Sequence, residues 1–253
     1  IKFICQAGTK QMCLRCHQSL VDILEQILRK NLTAVLIMTL GGLSATAMAA
    51  DLTGYLATYR VSADGKTGTA TRTLTKTGNN YRYTVNARAA GIATLSQEAR
   101  FSLVNGNIIP QSSMMSARIL GIGNTHSVRF NRANKSAVST YKGKTVTLAM
   151  PKPAYDDLSL ETQIRQELIN GKFNGSYQLV KRDQIETTKF RRAGHGKITV
   201  PAGTYDTVRI DRIHDDQNRA TSFWLAPSLN YLPVKVSQTA DGKVIFMELT
   251  KIN

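Results

Sequence analysis

The sequence predicts an all-β protein, an antiparallel meander forming a curved sheet or an open barrel or sandwich, with one helix near residues 157–170. Three observations carry this expectation. Beyond residue 54, apolar and polar side chains alternate with the period of two that a half-buried strand requires. Gly, Asn and Asp gather where these stretches end, at positions where a hairpin needs positive φ. Only one later segment has the three-to-four-residue spacing of an apolar helical face.

The elements follow in order. Tyr55, Ala57, Tyr59 and Val61 alternate with Leu56, Thr58, Arg60 and Ser62, and residues 63–66 turn the chain. Threonine then occupies every second position from Thr69 to Thr75, and Gly78-Asn79-Asn80 turns again. Tyr81, Tyr83, Val85 and Ala87 share one face against Arg82, Thr84, Asn86 and Arg88, completing a hairpin. A second hairpin runs from Gln97 to Val104, turns at Asn105-Gly106-Asn107 and returns from Ile108. Pro110 has no amide hydrogen to give a ladder, so that strand is expected at an edge or with a bulge.

Ile119-Leu120-Gly121-Ile122-Gly123 lacks the glycine spacing and following helix of a nucleotide-binding loop, and reads as a chain reversal or the rim of a ligand cavity. Thr125 to Asn131 and Ser136 to Met150 continue the meander, with Val128, Phe130, Val146 and Leu148 inward. Pro151 and Pro153 close the first half, and the halves on either side are candidates for two sub-sheets.

Leu160, Ile164 and Leu168 then recur every four residues, as one stripe of a helix that plugs or flanks the sheet. Asp157 or Ser159 is expected to cap it, Glu161 to sit in its first turn and Gly171 to stop it. Strands resume at Tyr177–Arg182 and Gln184–Phe190, and Ile198–Val200 leads to the turn at Pro201-Ala202-Gly203. Val208, Ile210 and Arg212 alternate, and three further strands at 219–226, 232–238 and 244–252 finish the chain.

Four motifs in fixed order resemble a known family. They are Tyr155-Asp156-Asp157-Leu158-Ser159, Pro201-Ala202-Gly203-Thr204-Tyr205-Asp206-Thr207-Val208-Arg209, Phe223-Trp224-Leu225-Ala226-Pro227 and Tyr231-Leu232-Pro233-Val234. Together they resemble DUF3108, a bacterial exported family of unknown function, over most of the chain beyond residue 50. The resemblance implies an exported, β-rich, cavity-bearing shape similar to the open barrels of lipoprotein carriers. It implies no activity, so no catalytic residue is carried over. Tyr155, Asp156, Gly203, Trp224 and Pro233 are the candidate ligand-binding or structural residues within these motifs. Their structural roles would be a helix cap at Asp156 or Asp157, a turn at Gly203, and strand filling and termination at Trp224 and Pro233.

Chemistry is sparse. Beyond residue 49 the histidines are His126, His195 and His214. His126 shares the inward period of Val128 and Phe130, as a core histidine would. His195 stands between Gly194 and Gly196 in what reads as a basic turn beside Arg191 and Arg192. His214-Asp215-Asp216 is the one local cluster with cation-binding residue types, and it reads better as a solvated turn. No Gly-x-Ser-x-Gly elbow occurs. Asp156 and Asp157 are adjacent, so their side chains diverge and make a poor acid–base pair. No cofactor, metal site or catalytic residue is expected.

The chain carries 33 Lys+Arg against 17 Asp+Glu. Residues 1–49 hold five of the basic and two of the acidic residues, leaving 28 against 15 and a net charge of +13 beyond them. That charge favours anionic partners such as lipid head groups or glycolipids. All three cysteines, Cys5, Cys13 and Cys16, precede residue 50, so no disulfide is expected in the remainder.

Residues 29–49 read as a signal peptide. Arg29 and Lys30 precede the apolar run from Leu32 to Leu40, and Ala47-Met48-Ala49 is a small-x-small cleavage site before Ala50. The alternative, a retained anchor, is disfavoured by the Thr, Gly and Ser residues of the second half. Residues 1–28 are then an upstream segment. The expectation is that translation starts later, at Met12 or near Ile27 or Leu28. Its Cys13-Leu14-Arg15-Cys16-His17 matches a c-type haem attachment motif, but it precedes the export signal and is not read as a haem site. Its Leu20, Ile23, Leu24, Ile27 and Leu28 have helical spacing.

The expected protein is therefore a single exported β domain over residues 50–253, periplasmic or secreted. It is membrane-adjacent but not membrane-spanning once cleaved. The function read from it is non-enzymatic binding of an apolar or anionic lipid-like ligand in a β-sheet cavity. The alternatives are a structural or assembly factor contacting another envelope protein and, third, a hydrolase with an unrecognised site. Lipid, glycolipid or another envelope protein is the expected partner, and nucleic acid is not. A whole-cell digest should contain no peptide from residues 2–26, and finding one would exclude the late translation start.

Overall fold

Alternating side chains give each strand one apolar face, and that face must be covered. Among the described residues, fifteen strands cover it by curling around one α-helix. The structure, a computed structural model, describes residues 52–253 apart from positions 64 and 90. The segment read as a signal peptide, the upstream stretch and its Cys-x-x-Cys-His motif lie outside the described residues.

The first half is a continuous meander: β1 (Tyr55–Ala63), β2 (Lys66–Thr77), β3 (Asn80–Ala89), β4 (Ala93–Val104), β5 (Asn107–Ile119), β6 (Ile122–Asn131), β7 (Ser136–Tyr141) and β8 (Lys144–Ala149). A short β9 (Ala154–Tyr155) precedes the helix α1 (Asp157–Ile169). The second half comprises β10 (Ser176–Val180), β11 (Ile185–Val200), β12 (Gly203–Ile213), β13 (Arg219–Ala226), β14 (Leu232–Ala240) and β15 (Lys243–Ile252). The strand order is β8-β7-β6-β5-β4-β3-β2-β1-β15-β14-β13-β12-β11-β10-β9, antiparallel except where β9 meets β10. The two halves are therefore not separate sub-sheets: β1 pairs with β2 on one side and β15 on the other.

The sheet does not close by hydrogen bonds, since β8 and β9 are its two ends. Side chains close the seam instead. Val128 and Ala137 from the first half pack with Ala154 and Val180 from the second. Ser139 Oγ donates to the Arg182 carbonyl at 2.7 Å, and the Arg182 guanidinium lies 4.2 Å from the Tyr141 ring centre.

Because each turn reverses the chain, the tips alternate between two ends of the sheet. The tips at Gly91–Ile92, Leu120–Gly121 and Asp241–Gly242 lie at one end; those at Gly78–Asn79, Asn105–Gly106 and Pro201–Ala202 lie at the other. Curling brings strands close where only glycine fits. A Cβ at Gly68 would fall 2.2 Å from the Arg88 carbonyl oxygen, and one at Gly123 would fall 1.8 Å from that of Ala117.

Local expectations are refined at several points. Pro110 sits beside a bulge and beyond the reach of β6, which begins pairing only at Ser112, so its missing amide hydrogen breaks no ladder. The apolar glycine segment is a tight reversal with Leu120 at φ 51° and Gly121 at φ 79°. The basic turn expected at His195 is not a turn. His195 lies inside the 16-residue β11, just after a bulge at which Gly194 adopts φ 146°. Glycines that resemble a reversal in sequence are accommodating an extra residue in one strand.

The helix is capped by Asp156, not by Asp157 or Ser159. Asp156 Oδ1 accepts from the amides of Leu158 and Ser159 at 3.0 and 3.2 Å, and Ser159 Oγ accepts from the Asp156 amide at 3.0 Å. This is a reciprocal capping box. Gly171 follows at φ 69° and ends the helix, as expected. The single apolar stripe is only part of what α1 buries: Thr162, Gln163, Arg165 and Gln166 are buried too. Wrapped by the sheet, the helix leaves only Asp157 exposed.

Burial pushes the Asp156 carboxyl up to about 6 from 3.8, against the opposing hydrogen bonds from Ser159 and Leu158. Between those values the folded chain holds a proton that the unfolded chain has released. The stability this group contributes is therefore complete below about pH 4 and is lost as pH rises through about 6. Asp156→Asn keeps an acceptor for the cap and removes the buried charge. Urea melts should show it losing the pH 4–6 slope and matching or exceeding the wild type at pH 8, by up to about 3 kcal/mol. Asp156→Ala should instead lose about 1 kcal/mol of capping.

Candidate functional site

The ladder registers define what faces the interior. One row of inward side chains runs Arg72, Val85, Gln97, Met115 and His126 across β2 to β6. The next row toward the Ile92 and Leu120 tips is Ala70, Ala87, Leu95 and Ala117. Three of those four are alanine, so the wall is thin there and space remains beside the helix. On the opposite wall the row is Ile210, Phe223, Val236 and Met247, followed by Arg212, Thr221, Gln238 and Ile245. Leu158, Leu160 and Ile164 of α1 form the floor. Between them lies a cavity of about 430 Å³, within the range of small-molecule sites.

Charges enter this apolar space at defined places. Arg72 Nη2 donates to Glu161 Oε2 at 2.5 Å, and Tyr83 OH donates to Glu161 Oε1 at 2.8 Å. The Arg72 guanidinium also lies 5.3 Å from the Tyr83 ring centre. Burial works to lower the Arg72 pKa, but Glu161 more than offsets it and the guanidinium stays charged. Glu161 is thus not a first-turn dipole residue as expected, since α1 begins at Asp157 and Glu161 turns inward one turn later. Arg165 donates to Tyr55 OH and to the Asn230 carbonyl, both at 3.2 Å. Lining the cavity are seven cations, Arg72, Arg88, Arg118, Arg165, Lys181, Arg182 and Arg212, against two carboxylates, Asp157 and Glu161.

The histidines are engaged separately. His126 Nε2 lies 2.9 Å from Ser139 Oγ at the seam, and burial lowers its pKa. His214 Nε2 lies 3.0 Å from Thr221 Oγ1, and burial pushes its pKa down to about 4. Asp216 Oδ1 accepts from the Asn218 amide at 2.9 Å, so the His214-Asp215-Asp216 segment is a turn. Among the described residues no three His, Cys, Asp or Glu side chains gather as metal ligands.

None of the five motif candidates lines the cavity. Tyr155 is buried edge-on to Tyr177, and Asp156 caps α1. Gly203 adopts φ 137° in the turn between β11 and β12. The carbonyl of Pro233 accepts from Tyr59 OH at 2.9 Å. Trp224 packs against the cluster of Tyr59, Leu232, Val234 and Leu249, with Lys235 Nζ 5.9 Å from its ring centre. Trp224 packs on this second core region and Pro233 is bonded to its Tyr59, whereas Gly203 lies in an exposed turn.

The cavity residues that sequence reading missed are Arg72, Glu161, Arg165, Lys181 and Arg212. A signal for three of them existed. Arg72 has the parity of Ala70 and Leu74, Arg212 that of Val208 and Ile210, and Lys181 that of Tyr177 and Leu179. A cation at an inward position is such a signal.

Removing one partner of a buried ion pair strands the other. Glu161→Gln and Arg72→Met should therefore each destabilise by about 3–5 kcal/mol in chemical denaturation. The Arg72→Met/Glu161→Leu double variant should lose much less than the sum, which a double-mutant cycle measures.

A family model described as protein of unknown function (DUF3108) matches residues 55–250. No curated protein matches the chain. Among solved structures, it is similar to the crystal structure of a β-barrel-like protein of another domain of unknown function, DUF1849, from Brucella abortus. That similarity has a TM-score of 0.54 at 11% identity, covering 79% of this chain and 97% of the other. At that identity the likeness is one of fold. No helix among the described residues is long and apolar enough to cross a membrane. With the model spanning β1 to β15, the chain belongs to the DUF3108 family of proteins of unknown function.

Proposed function

We propose that this chain is a non-enzymatic binding protein of the bacterial envelope, exported by the segment before residue 50, whose cavity takes a lipid-like ligand. The observation that carries the reading is the cavity of about 430 Å³, walled by Val85, Leu95 and Ala117 on one side and by Ile210, Phe223 and Val236 on the other. Apolar surface facing an open space loses both the contacts of a filled core and the stabilisation of burial. An apolar ligand restores both. The charged and polar groups that line it stand at defined places among these apolar walls, as in sites that orient one class of small molecule.

The neutral apolar dye N-phenyl-1-naphthylamine tests the reading without involving charge. It should bind the wild type with a blue-shifted emission at one site per chain. Ala117→Trp, which fills the thin wall, should abolish the signal while leaving thermal unfolding cooperative. Dye exclusion by the wild type would overturn the reading. It would favour the assembly-factor alternative, for which the unpaired outer edge of β8 is the surface open to strand addition.

A further inference from the structure

Lys181 stands just beyond β10, at the inward position after Tyr177 and Leu179. It is 7% exposed and lines the cavity, yet its ammonium has no hydrogen-bond or ion-pair partner among the described residues. Arg212 enters the same space from β12, and its Nε is buried without a partner. Burial lowers the pKa of Arg212 and pushes that of Lys181 down to about 8. Asp157 and Glu186 are close enough to act on both cations, but neither carboxylate closes to ion-pair distance. Two cations thus share one side of an apolar cavity with no protein partner for either charge, and Arg212 Nε is sealed from solvent as well, an arrangement that an anion in the cavity would meet.

Arg219, whose Nε and Nη2 are also buried without a partner, lies outside the cavity, and the other buried cations that line it are held. Arg72 is paired with Glu161, and Arg165 is held by Tyr55 and Asn230. Arg118 is exposed at the rim. Directly beneath Arg212 on its own strand lies Ile210, with Phe223 beside it on β13. Apolar wall therefore begins one residue step from the cations.

We infer that Lys181 and Arg212 form an anion site inside the cavity, and that the ligand is a single-chain amphiphile whose carboxylate or phosphate monoester head sits between them, with its tail along Ile210 and Phe223. This rests on the lipid-binding reading above and adds the head-group chemistry and the orientation. Arg212 supplies a planar fork of donors suited to both oxyanions, and Lys181 supplies a compact point charge. The two sources of such an anion, an amphiphile or free phosphate, differ in whether the apolar wall contributes.

Titration calorimetry on the full chain with dodecanoate, dodecyl phosphate, 1-dodecanol and inorganic phosphate separates the cases. The two anionic amphiphiles should bind at least tenfold more tightly than dodecanol, and inorganic phosphate far more weakly than dodecyl phosphate. Lys181→Met and Arg212→Met should each weaken dodecanoate about tenfold and leave dodecanol unchanged, whereas Arg118→Met should alter neither. Both site variants remove a cation that no protein group pairs, so their thermal midpoints should equal or exceed that of the wild type. Equal binding of acid and alcohol would overturn the anion site while leaving the lipid reading intact, as would an acid preference that survives in a Lys181→Met/Arg212→Met double variant. Inorganic phosphate binding as tightly as dodecyl phosphate would overturn the amphiphile. Failure of all four to bind would remove the lipid reading itself.

Discussion

Arg72 and Glu161 meet inside the curved sheet, and that contact sets where the helix lies. A buried ion pair contributes little net stability, because the desolvation of both charges offsets their attraction. What it supplies is position. Glu161 can satisfy both carboxylate oxygens only where Arg72 and Tyr83 reach it together, which holds α1 at one rotation and one height. Arg165, one turn further along, reaches Tyr55 and the Asn230 carbonyl from the same pose. On another face of the helix, Gln163 Oε1 accepts from the Ile108 amide at 2.8 Å, near the start of β5 where β6 gives no pairing. The helix and the sheet complete each other's hydrogen bonds.

That position also explains why there is a cavity. A helix centred by polar contacts cannot slide to fill the space beside the Ala70, Ala87 and Ala117 wall. Core packing is thus complete below, where Tyr81 stacks on Phe101 at 5.5 Å, and incomplete above. The seam at Ser139, Lys181 and Arg182 lies against the incomplete part. The same turn that closes the sheet thereby delivers Lys181 to the interior.

Much of the fold was legible in the residues. Strand boundaries followed from period-two alternation and from turns such as Gly78-Asn79 and Asp241-Gly242, since both are local consequences of backbone sterics. The failures share a cause. At His195 a bulge imitated a turn, because a glycine needed for an extra residue in one strand looks like a glycine needed for reversal. At the helix start, three candidate caps stood at 156, 157 and 159, and sequence alone does not say which carbonyl opens the first turn. Arg72, Lys181 and Arg212 were passed over because a charged residue in an alternating strand is ordinarily assigned to solvent. The family motifs drew attention elsewhere, to Tyr155, Asp156, Gly203, Trp224 and Pro233, which hold the frame in shape and do not touch the cavity.

The sequence by itself determined the class, the order of the strands, the single helix and the excess of positive charge, because each depends on near neighbours or on composition. Only the tertiary structure decided that both halves share one sheet through β1 and β15, residues nearly two hundred positions apart in pairs such as Tyr59 and Leu249. It alone decided that the helix is wrapped by the sheet and that Arg72 has a partner while, among the described residues, Lys181 and Arg212 have none. Whether a buried charge is met depends on which distant strand curls against it, and no local pattern records that.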